Sequence, residues 1–249
     1  MIRLDHLVHA VRELEGAAEE AGRLGLRFVP GGRHPAYGTR NALRYGPDLA
    51  YWELLAFERW PEEPPAAGAA FVDEAWARLA GRGPGLATLA LGSDDLEAEV
   101  GRLRATGLRP ADPRPGERRS PQGAVLRWRT VEVTGWPPLA GPRPFLIQHR
   151  GSEAERRRLL EGLGFLAGGG GEGPALVELR WPVPHLQVAE EAYTLLLGRE
   201  AREEGGGSGR PAFRLGGCRL LLVAEPAAAA VRLEPPVRAL WQGVELTGG

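Results

Sequence analysis

One carboxylate stands out among the residues of this chain that could do chemistry. Glu53 lies in YWELLA (51–56), a segment that otherwise has the apolar composition of a buried strand. A carboxylate on a buried strand is costly unless it is paired, hydrogen-bonded or bound to a cation. Glu53 is therefore the first candidate catalytic residue. The alternative is an ion pair with Arg40 or Arg44 on the preceding strand.

A histidine on the first strand could share that chemistry. LDHLVHAV (4–11) alternates as a strand with two buried faces does, and it carries His6 and His9. Successive side chains of a strand point to opposite faces, so His6 and His9 do not face the same site. His6 is the functional candidate, with a histidine satisfied inside the core as the alternative. His9 is expected to be structural.

Three more polar residues with ligand-binding chemistry lie in GGRHPAYGTRNAL (31–43). Arg33 and His34 are predicted in a turn that positions side chains over a cleft. Arg33 could hold a carboxylate or phosphate through two hydrogen bonds, and His34 could be a catalytic acid or base near neutral pH. Asn41 could hydrogen-bond a substrate. The alternatives are an ion-paired or solvated arginine, a histidine bonded to nearby carbonyls, and an ordinary turn residue.

The elements that must position these residues form a repeated unit. The pattern predicts a strand at 4–11, a helix over 13–24, and strands at LRFVP, NALRYG and AYWELLAF. A weaker copy of the first strand and helix follows at 86–108, where Leu96 corresponds to Leu14, an offset of 82 residues. The sequence therefore predicts a duplicated β-α-β-β-β module.

The rest of the chain indicates a third module. ALVELRWPV is typical of a strand, LQVAEEAYTLLLG of a helix, and PAFRLGG, CRLLLVAEP and RALWQGVELTG of three strands, with GVELTG corresponding to YWELLA. The predicted fold class is α+β, with repeated modules that form cupped mixed sheets. Residues 1–150 hold the paired modules, about 1–60 and 83–150, with a bridging helix at 71–80. Residues 151–249 hold a helix, a Gly-rich joint (GGGGEGP) and the third module.

Composition excludes several classes of function. The chain has 31 basic and 32 acidic residues, a formal net charge of −1, so no nucleic-acid partner is indicated. No apolar run approaches the length of a membrane span, and no leader pattern opens the sequence. We therefore expect a cytoplasmic protein with no membrane partner. The single cysteine, Cys218, is expected to be buried and inert.

The string LDHLVHAV…GGRHPAYGTRNAL…YWELLA resembles the glyoxalase-like branch of the vicinal oxygen chelate superfamily, which also includes bleomycin-resistance proteins and dioxygenases. The resemblance implies two modules around a divalent metal, with ligands from the first and last strand of each. Carried over by position, it implies His6 and Glu53 in the first module, and Thr88 and Gln148 in the second. Threonine is a poor ligand, so the implied site for zinc, manganese, iron or nickel is His6, Glu53 and Gln148, with open positions for water or substrate.

Three functions stay open at this point. A metal on His6 and Glu53 would chelate two adjacent oxygens of a small molecule, in a reaction of lyase, isomerase or dioxygenase type. A metal-free module would instead bind a small apolar or aromatic molecule, with Tyr37, Trp52 and Trp128 as candidate walls. A non-catalytic homologue would use its third module for dimerisation, and a homodimer is compatible with all three. Because the second module lacks strong ligands, methylglyoxal turnover is not expected.

Overall fold

The helices and strands follow one another in the order that the modules require. A computed structural model describes residues 2–65, 68–166, 175–203, 210–227, 229–234 and 239–247. The first module consists of β1 (Arg3–Ala10), α1 (Leu14–Arg23), β2 (Val29–His34), β3 (Thr39–Tyr45) and β4 (Tyr51–Phe57). Helix α2 (Ala70–Gly81) leads into the second module, which consists of β5 (Gly85–Gly92), α3 (Leu96–Ala105), β6 (Arg114–Arg119), β7 (Val125–Glu132) and β8 (Phe145–His149).

The two modules close into one barrel, with the strand order β1-β4-β3-β2-β6-β7-β8-β5. Strand β1 is parallel to β4, β5 is parallel to β8, and β1 and β5 are antiparallel neighbours. The pairs at the centre of that contact are His6 with Ala90, Leu7 with Leu89, and Val8 with Thr88. An offset of 82 residues maps these pairs onto one another, so the modules are related by an approximate two-fold axis at Leu7 and Leu89. The predicted fold class is confirmed.

The barrel closes where β2 pairs with β6, through Arg33 and Arg119. Gly32 has φ = +134°, and a Cβ there would overlap the carbonyl oxygen of Arg119. A Cβ on Gly31 would overlap a side chain of β3. These glycines therefore serve a close approach of three strands. The predicted turn at Arg33 and His34 is wrong, because both residues end β2.

Apolar side chains fill both ends of the barrel interior. Helix α2 packs its buried face on β1 and β5, in a cluster that contains Val8, Leu55, Phe71 and Phe145. At the other end lies α4 (Glu153–Gly162), where Leu160 packs with Leu43, Tyr45, Leu49 and Phe165. A cavity borders both clusters, and it is described below.

The outer face of the barrel forms the largest core. Helices α1 and α3 pack here, together with a second sheet from the C-terminal part of the chain. His9 lies in this core, with its ring 5.7 Å from Trp52 and 5.0 Å from Trp241, and its Nε2 is 3.1 Å from the carbonyl oxygen of Gln242. Burial lowers the pKa of His9 to about 3. His9 is therefore a neutral packing residue, as strand alternation predicts.

The second sheet repeats the strand relations of the barrel. Its elements are β9 (Ala175–Val183), α5 (Leu186–Leu197), β10 (Arg202–Glu203), β11 (Pro211–Leu215), β12 (Cys218–Ala224), β13 (Ala230–Glu234), β14 (Ala239–Trp241) and β15 (Val244–Thr247). The strand order is β10-β11-β12-β9-β13-β15-β14. Strand β9 is parallel to β12 and antiparallel to β13, which is parallel to β15. In the same way, β1 of the barrel is parallel to β4 and antiparallel to β5, and β5 is parallel to β8.

The third module thus runs from β9 to β12, and β13 to β15 follow the pattern of the second module without a helix. The counterpart of YWELLA is β12, so its predicted correspondence with GVELTG is wrong. RALWQGVELTG is not one strand either, because Gln242 and Gly243 have φ values of 48° and 74° and turn the chain into a hairpin. The Gly-rich joint at 168–174 lies outside the described residues.

Two simpler expectations concern single residues and helices. Cys218 is a free, buried cysteine on β12, and burial raises the pKa of its thiol. A thiol that stays protonated is a poor nucleophile, which agrees with an inert role. Within the ranges that the structure describes, no helix is long and apolar enough to cross a membrane.

Candidate functional site

The barrel encloses a cavity of about 200 Å³, here called the barrel cavity. Its polar lining comprises His6, His34, Asn41, Glu53, Arg118, Arg127, Thr130, His149, Arg150, Glu155 and Arg156. Its aromatic lining comprises Tyr45, Tyr51, Phe71, Trp128 and Phe145. Four of the residues that the sequence singled out therefore meet here: His6, His34, Asn41 and Glu53. Arg33 and Gln148 are not part of the lining.

Glu53 presents its carboxylate to the cavity from β4. The side chain is only 4% exposed. Nδ2 of Asn41 donates a hydrogen bond to Oε1 at 2.5 Å, and Nε2 of His6 lies 3.6 Å from Oε2. Arg40 and Arg44 lie on the opposite face of β3 from Asn41, which removes the alternative of an ion pair with Glu53. The carboxylate is thus held by an amide and stands beside an imidazole.

His6 is oriented by its neighbour in the sequence. The β1–β5 register shifts between Leu4 and His6, and at this bulge Oδ1 of Asp5 lies 2.7 Å from Nδ1 of His6. Asp5 also receives His149, whose Nε2 is 3.0 Å from Oδ2, and Arg156, which donates from 3.2 Å. All three partners of Asp5 line the barrel cavity.

This cluster fixes the protonation of Asp5 and the orientation of His6. Burial alone would raise the pKa of Asp5, but the charges of His149 and Arg156 and the hydrogen bonds from His149 and His6 hold that pKa well below its usual value. Arg156 is the permanent cation of the group. An ionised Asp5 accepts hydrogen bonds only, so Nδ1 of His6 donates to it. In the neutral imidazole Nε2 then carries the lone pair, and it lies 3.6 Å from Oε2 of Glu53.

Aromatic rings enclose this polar group. The ring of Tyr51 stacks on His6 with centroids 4.3 Å apart, and Phe145 meets His6 edge-on at 5.7 Å. Burial raises the pKa of Tyr51 well above its usual value, so its hydroxyl stays protonated. Among the walls suggested from the sequence, Trp128 lines the cavity, whereas Trp52 belongs to the outer core.

His34 lies in the cavity wall with a different role from the one predicted. Its Nδ1 is 3.1 Å from the hydroxyl of Thr39, and its ring meets Trp128 edge-on at 6.1 Å. Burial, followed by the charges of Arg118 and His6, lowers the pKa of His34 to about 3. The imidazole is therefore neutral near pH 7, where it can donate one hydrogen bond and accept another but cannot act as an imidazolium acid.

Arg118 of β6, not Arg33 of β2, lines the cavity where these two strands pair. The Arg33 side chain is 71% exposed and lies 3.3 Å from Glu58, away from the lining. Arg118 on β6 is 5% exposed, lines the cavity, and donates a hydrogen bond to the carbonyl oxygen of Gly31 on β2. The prediction that Arg33 binds the substrate thus loses its geometric basis.

The second module supplies no counterpart of the His6–Glu53 pair. Val8 pairs with Glu53 as Ala90 pairs with Phe145, so Phe145 occupies the position equivalent to Glu53. Gln148 was assigned to that position, but it points outward, where its Nε2 donates a hydrogen bond to the carbonyl oxygen of Asp94. Gln148 therefore does not join His6 and Glu53.

Thr88, at the position equivalent to His6, is likewise engaged elsewhere. Its hydroxyl donates to the carbonyl oxygen of Arg143 at 2.7 Å. The described residues contain no group of three His, Cys, Asp or Glu side chains arranged to hold a metal. Only His6 and Glu53 remain as donors, one fewer than the three protein ligands that catalytic zinc sites use.

Sequence reasoning missed Asp5, Arg118, His149 and Arg156. Two of them had a signal. His149 shares the strand face of Phe145 on β8, and Arg156 precedes Leu160 by one helical turn within a run, ERRR, that resembles a solvated face. Asp5 had none, because strict alternation places it opposite His6 and only the bulge brings the two together.

Comparisons with known proteins agree with this architecture. A family model described as a glyoxalase-like domain matches residues 4–174, more than half of the chain. A crystal structure of a hypothetical protein from Staphylococcus aureus is 16% identical with a TM-score of 0.79, and the match covers 98% of this chain and 97% of that one. That likeness shows the same fold over nearly the whole length.

Other solved structures match only the barrel-sized part. Methylmalonyl-CoA epimerase from Mycobacterium tuberculosis is 26% identical with a TM-score of 0.43, over 61% of this chain and 91% of that one. A variant of the Streptomyces coelicolor methylmalonyl-CoA epimerase, in complex with 2-nitronate-propionyl-CoA, is 22% identical with a TM-score of 0.43, over 60% and 98%. The comparison with curated proteins returned no match.

The family assignment rests on the match over residues 4–174, and the paired modules of the barrel agree with it. The chain belongs to the glyoxalase-like domain family.

Proposed function

We propose that the barrel cavity binds a small molecule and that Glu53 and His6 transfer a proton to or from it. One observation carries this proposal: a buried carboxylate, held by Asn41, faces the cavity beside a histidine that Asp5 orients. Buried carboxylates and oriented imidazoles are the usual groups of acid–base catalysis. The function is therefore that of an enzyme acting on a small molecule.

The two groups have complementary roles. In the proposed resting state the imidazole of His6 is neutral with Nδ1 donating to Asp5, so Nε2 of His6 and Oε2 of Glu53 are both proton acceptors. They lie 3.6 Å apart, which is longer than a hydrogen bond, so neither satisfies the other. A bound molecule that places an acidic C–H or O–H at this point satisfies both. Glu53 takes the proton from carbon and returns one to it, while Nε2 of His6 takes a proton from a neighbouring O–H of the same molecule and returns it in the reverse step.

The cavity also limits the size and character of the ligand. An engineered protein cavity of about 150 Å³ holds benzene, so a cavity of about 200 Å³ fits a molecule on the scale of one substituted ring. Phe71, Trp128 and Phe145 provide apolar wall, which favours an apolar or aromatic body. The reacting group of the ligand would lie beside the polar side chains of His6 and Glu53.

A divalent metal on His6 and Glu53 is the second candidate for this site. The Asp5–His6 hydrogen bond favours it, because metal-binding histidines usually donate their second ring nitrogen to a carboxylate. The donor set argues against it, because Thr88 and Phe145 stand where the second module would supply ligands. Two protein donors do not fit the expected site, and no step of the proposal passes through a metal.

Proton exchange tests the proposal, because this measurement does not require the natural substrate to be known. Small ketones, amides and carboxylic acids with acidic C–H groups are incubated with the protein in D₂O, and deuterium incorporation is followed by ¹H NMR. We expect incorporation into at least one compound, with Glu53→Gln slowing it by about 10²-fold or more. Arg33→Gln, an exposed change outside the cavity, is the matched control.

Equal rates for the wild type and Glu53→Gln would refute the assignment of Glu53. Elemental analysis separates the metal alternative: the protein is purified without chelator or affinity tag, beside His6→Ala and Glu53→Ala. Near-stoichiometric metal that both substitutions remove would replace the proton-transfer proposal with a metal-dependent one.

A further inference from the structure

We propose that the ligand of the barrel cavity is a carboxylate and that Arg118 binds its carboxylate group. This inference builds on the proposed function, because it names the class of molecule that the cavity accepts. It starts from the position of one guanidinium group, which the sequence analysis did not single out.

Arg118 is a buried cation without a protein anion. Among the residues that the structure describes, no carboxylate lies within 4.0 Å of its guanidinium. The other arginines of the lining are paired or exposed: Arg156 lies 3.2 Å from Asp5, Arg127 lies 3.3 Å from Glu117, and Arg150 is exposed. A buried charge is costly when it has no partner of opposite sign. Among the described residues of the lining, Arg118 is thus the buried cation without a carboxylate partner.

The contacts of Arg118 fix its position without neutralising it. One NH donates to the carbonyl oxygen of Gly31, and the guanidinium lies 5.1 Å from the centre of the Phe165 ring. Both contacts orient the planar group, and neither carries a formal negative charge. A guanidinium that is held in this way can donate two parallel hydrogen bonds from its other N–H groups to the two oxygens of a carboxylate.

The remaining charges of the cavity place the anion at Arg118. Glu53 is the carboxylate beside His6, and a ligand anion would be repelled there. The positive charge of Arg156 is already taken by Asp5. A ligand with its carboxylate on Arg118 and its acidic C–H at Glu53 satisfies both ends of the site. Arg118 is the one buried guanidinium of the described lining without a carboxylate partner, and a single buried positive charge favours a carboxylate over a phosphate dianion.

The test compares carboxylates with neutral amides of the same shape in the full-length protein. Acetate, propionate, benzoate and phenylpropionate are titrated by isothermal calorimetry against acetamide, propionamide, benzamide and phenylpropionamide, with phenyl phosphate as the dianion. We expect at least one carboxylate to bind about tenfold or more tightly than its amide. Arg118→Gln should abolish that preference, and Arg118→Lys should keep part of it. Arg33→Gln should leave it unchanged.

Each outcome decides something. A panel in which no carboxylate binds more tightly than its amide overturns the inference, and it needs no variant that has to fold. An Arg118→Gln protein with a native circular dichroism spectrum and an unchanged preference for carboxylates would also overturn the inference. Tighter binding of phenyl phosphate than of any carboxylate would overturn it as well. Glu53→Gln should retain the carboxylate preference. The two proposals therefore fail separately: a wild-type protein that prefers carboxylates but incorporates no deuterium refutes the proposed chemistry and keeps the Arg118 site, whereas deuterium incorporation without a carboxylate preference does the reverse.

Discussion

Replacing Asp5 by asparagine tests whether the polar cluster is a set of ionised partners. The carboxylate is 3% exposed and contacts His6 at 2.7 Å, His149 at 3.0 Å and Arg156 at 3.2 Å. Asp5→Asn keeps the shape and removes the charge, which leaves the buried guanidinium of Arg156 unpaired. Breaking a buried ion pair from one side costs about 3–5 kcal/mol. That is a large part of the roughly 5–15 kcal/mol that stabilises a typical folded protein.

The pH dependence of this loss has a definite sign. The pKa of Asp5 is lower in the folded protein than in the unfolded chain, so its contribution is complete above the unfolded value and disappears as pH falls through the folded value. The difference between the wild type and Asp5→Asn should therefore be largest near pH 7 and shrink in acid. Urea unfolding at pH 7 and pH 3, followed by far-ultraviolet circular dichroism, measures it.

A surface ion pair provides the comparison. Asp94 contacts Arg3 at 2.9 Å but is exposed, so Asp94→Asn should cost less than about 1 kcal/mol. An Asp5→Asn cost below about 1 kcal/mol at pH 7, or one that does not change with pH, would refute the account of Asp5 as the ionised centre of the cluster.

Three further predictions concern other parts of the barrel. The imidazole of His34, with its pKa lowered to about 3, should not titrate between pH 5 and pH 8 in ¹⁵N NMR spectra, and its burial should reduce stability as pH falls below about 6.5, the unfolded value. Gly32 has φ = +134° and lies against a carbonyl of β6, so Gly32→Ala should lower the free energy of unfolding by more than about 2 kcal/mol. Gly22 lies on α1 with open space around it, so Gly22→Ala should raise the free energy of unfolding by about 0.5–1 kcal/mol. Urea titration of the two variants measures both changes. Phe145→His should supply a third donor beside His6 and Glu53 and increase Zn²⁺ binding in equilibrium dialysis; unchanged binding would contradict the equivalence of Phe145 and Glu53.

The sequence predicted well wherever one repeating pattern carried the information. The offset of 82 residues between the modules matches the pairing of β1 with β5, and the buried Glu53 was recognisable from its apolar strand. The error at Gln148 has a physical reason. The proline-rich segment before β8 lengthens the second module, so the offset between β4 and β8 is larger, and Phe145 takes the equivalent position.

Other features left no usable pattern. Strand β6, RPGERR, has no apolar alternation, so neither the strand nor Arg118 was predicted. The two glycines before Arg33 resemble turn residues, although here they allow strands to approach closely. The cluster around Asp5 depends on a bulge and on a helix more than 140 residues away, and local periodicity carries no information about such contacts.

The partners of Asp5 also set the order in which the site can form during synthesis. Asp5 leaves the ribosome before two of its partners, because His149 and Arg156 follow it by 144 and 151 positions. Contacts so distant in sequence form late, because the intervening chain must first be ordered. The first module can therefore acquire its strands and helix while its buried aspartate still has only histidine as a partner. We therefore expect a barrel truncated before α4 to lack the Arg156 partner of Asp5 and to lose the proton exchange proposed above, even when it is folded.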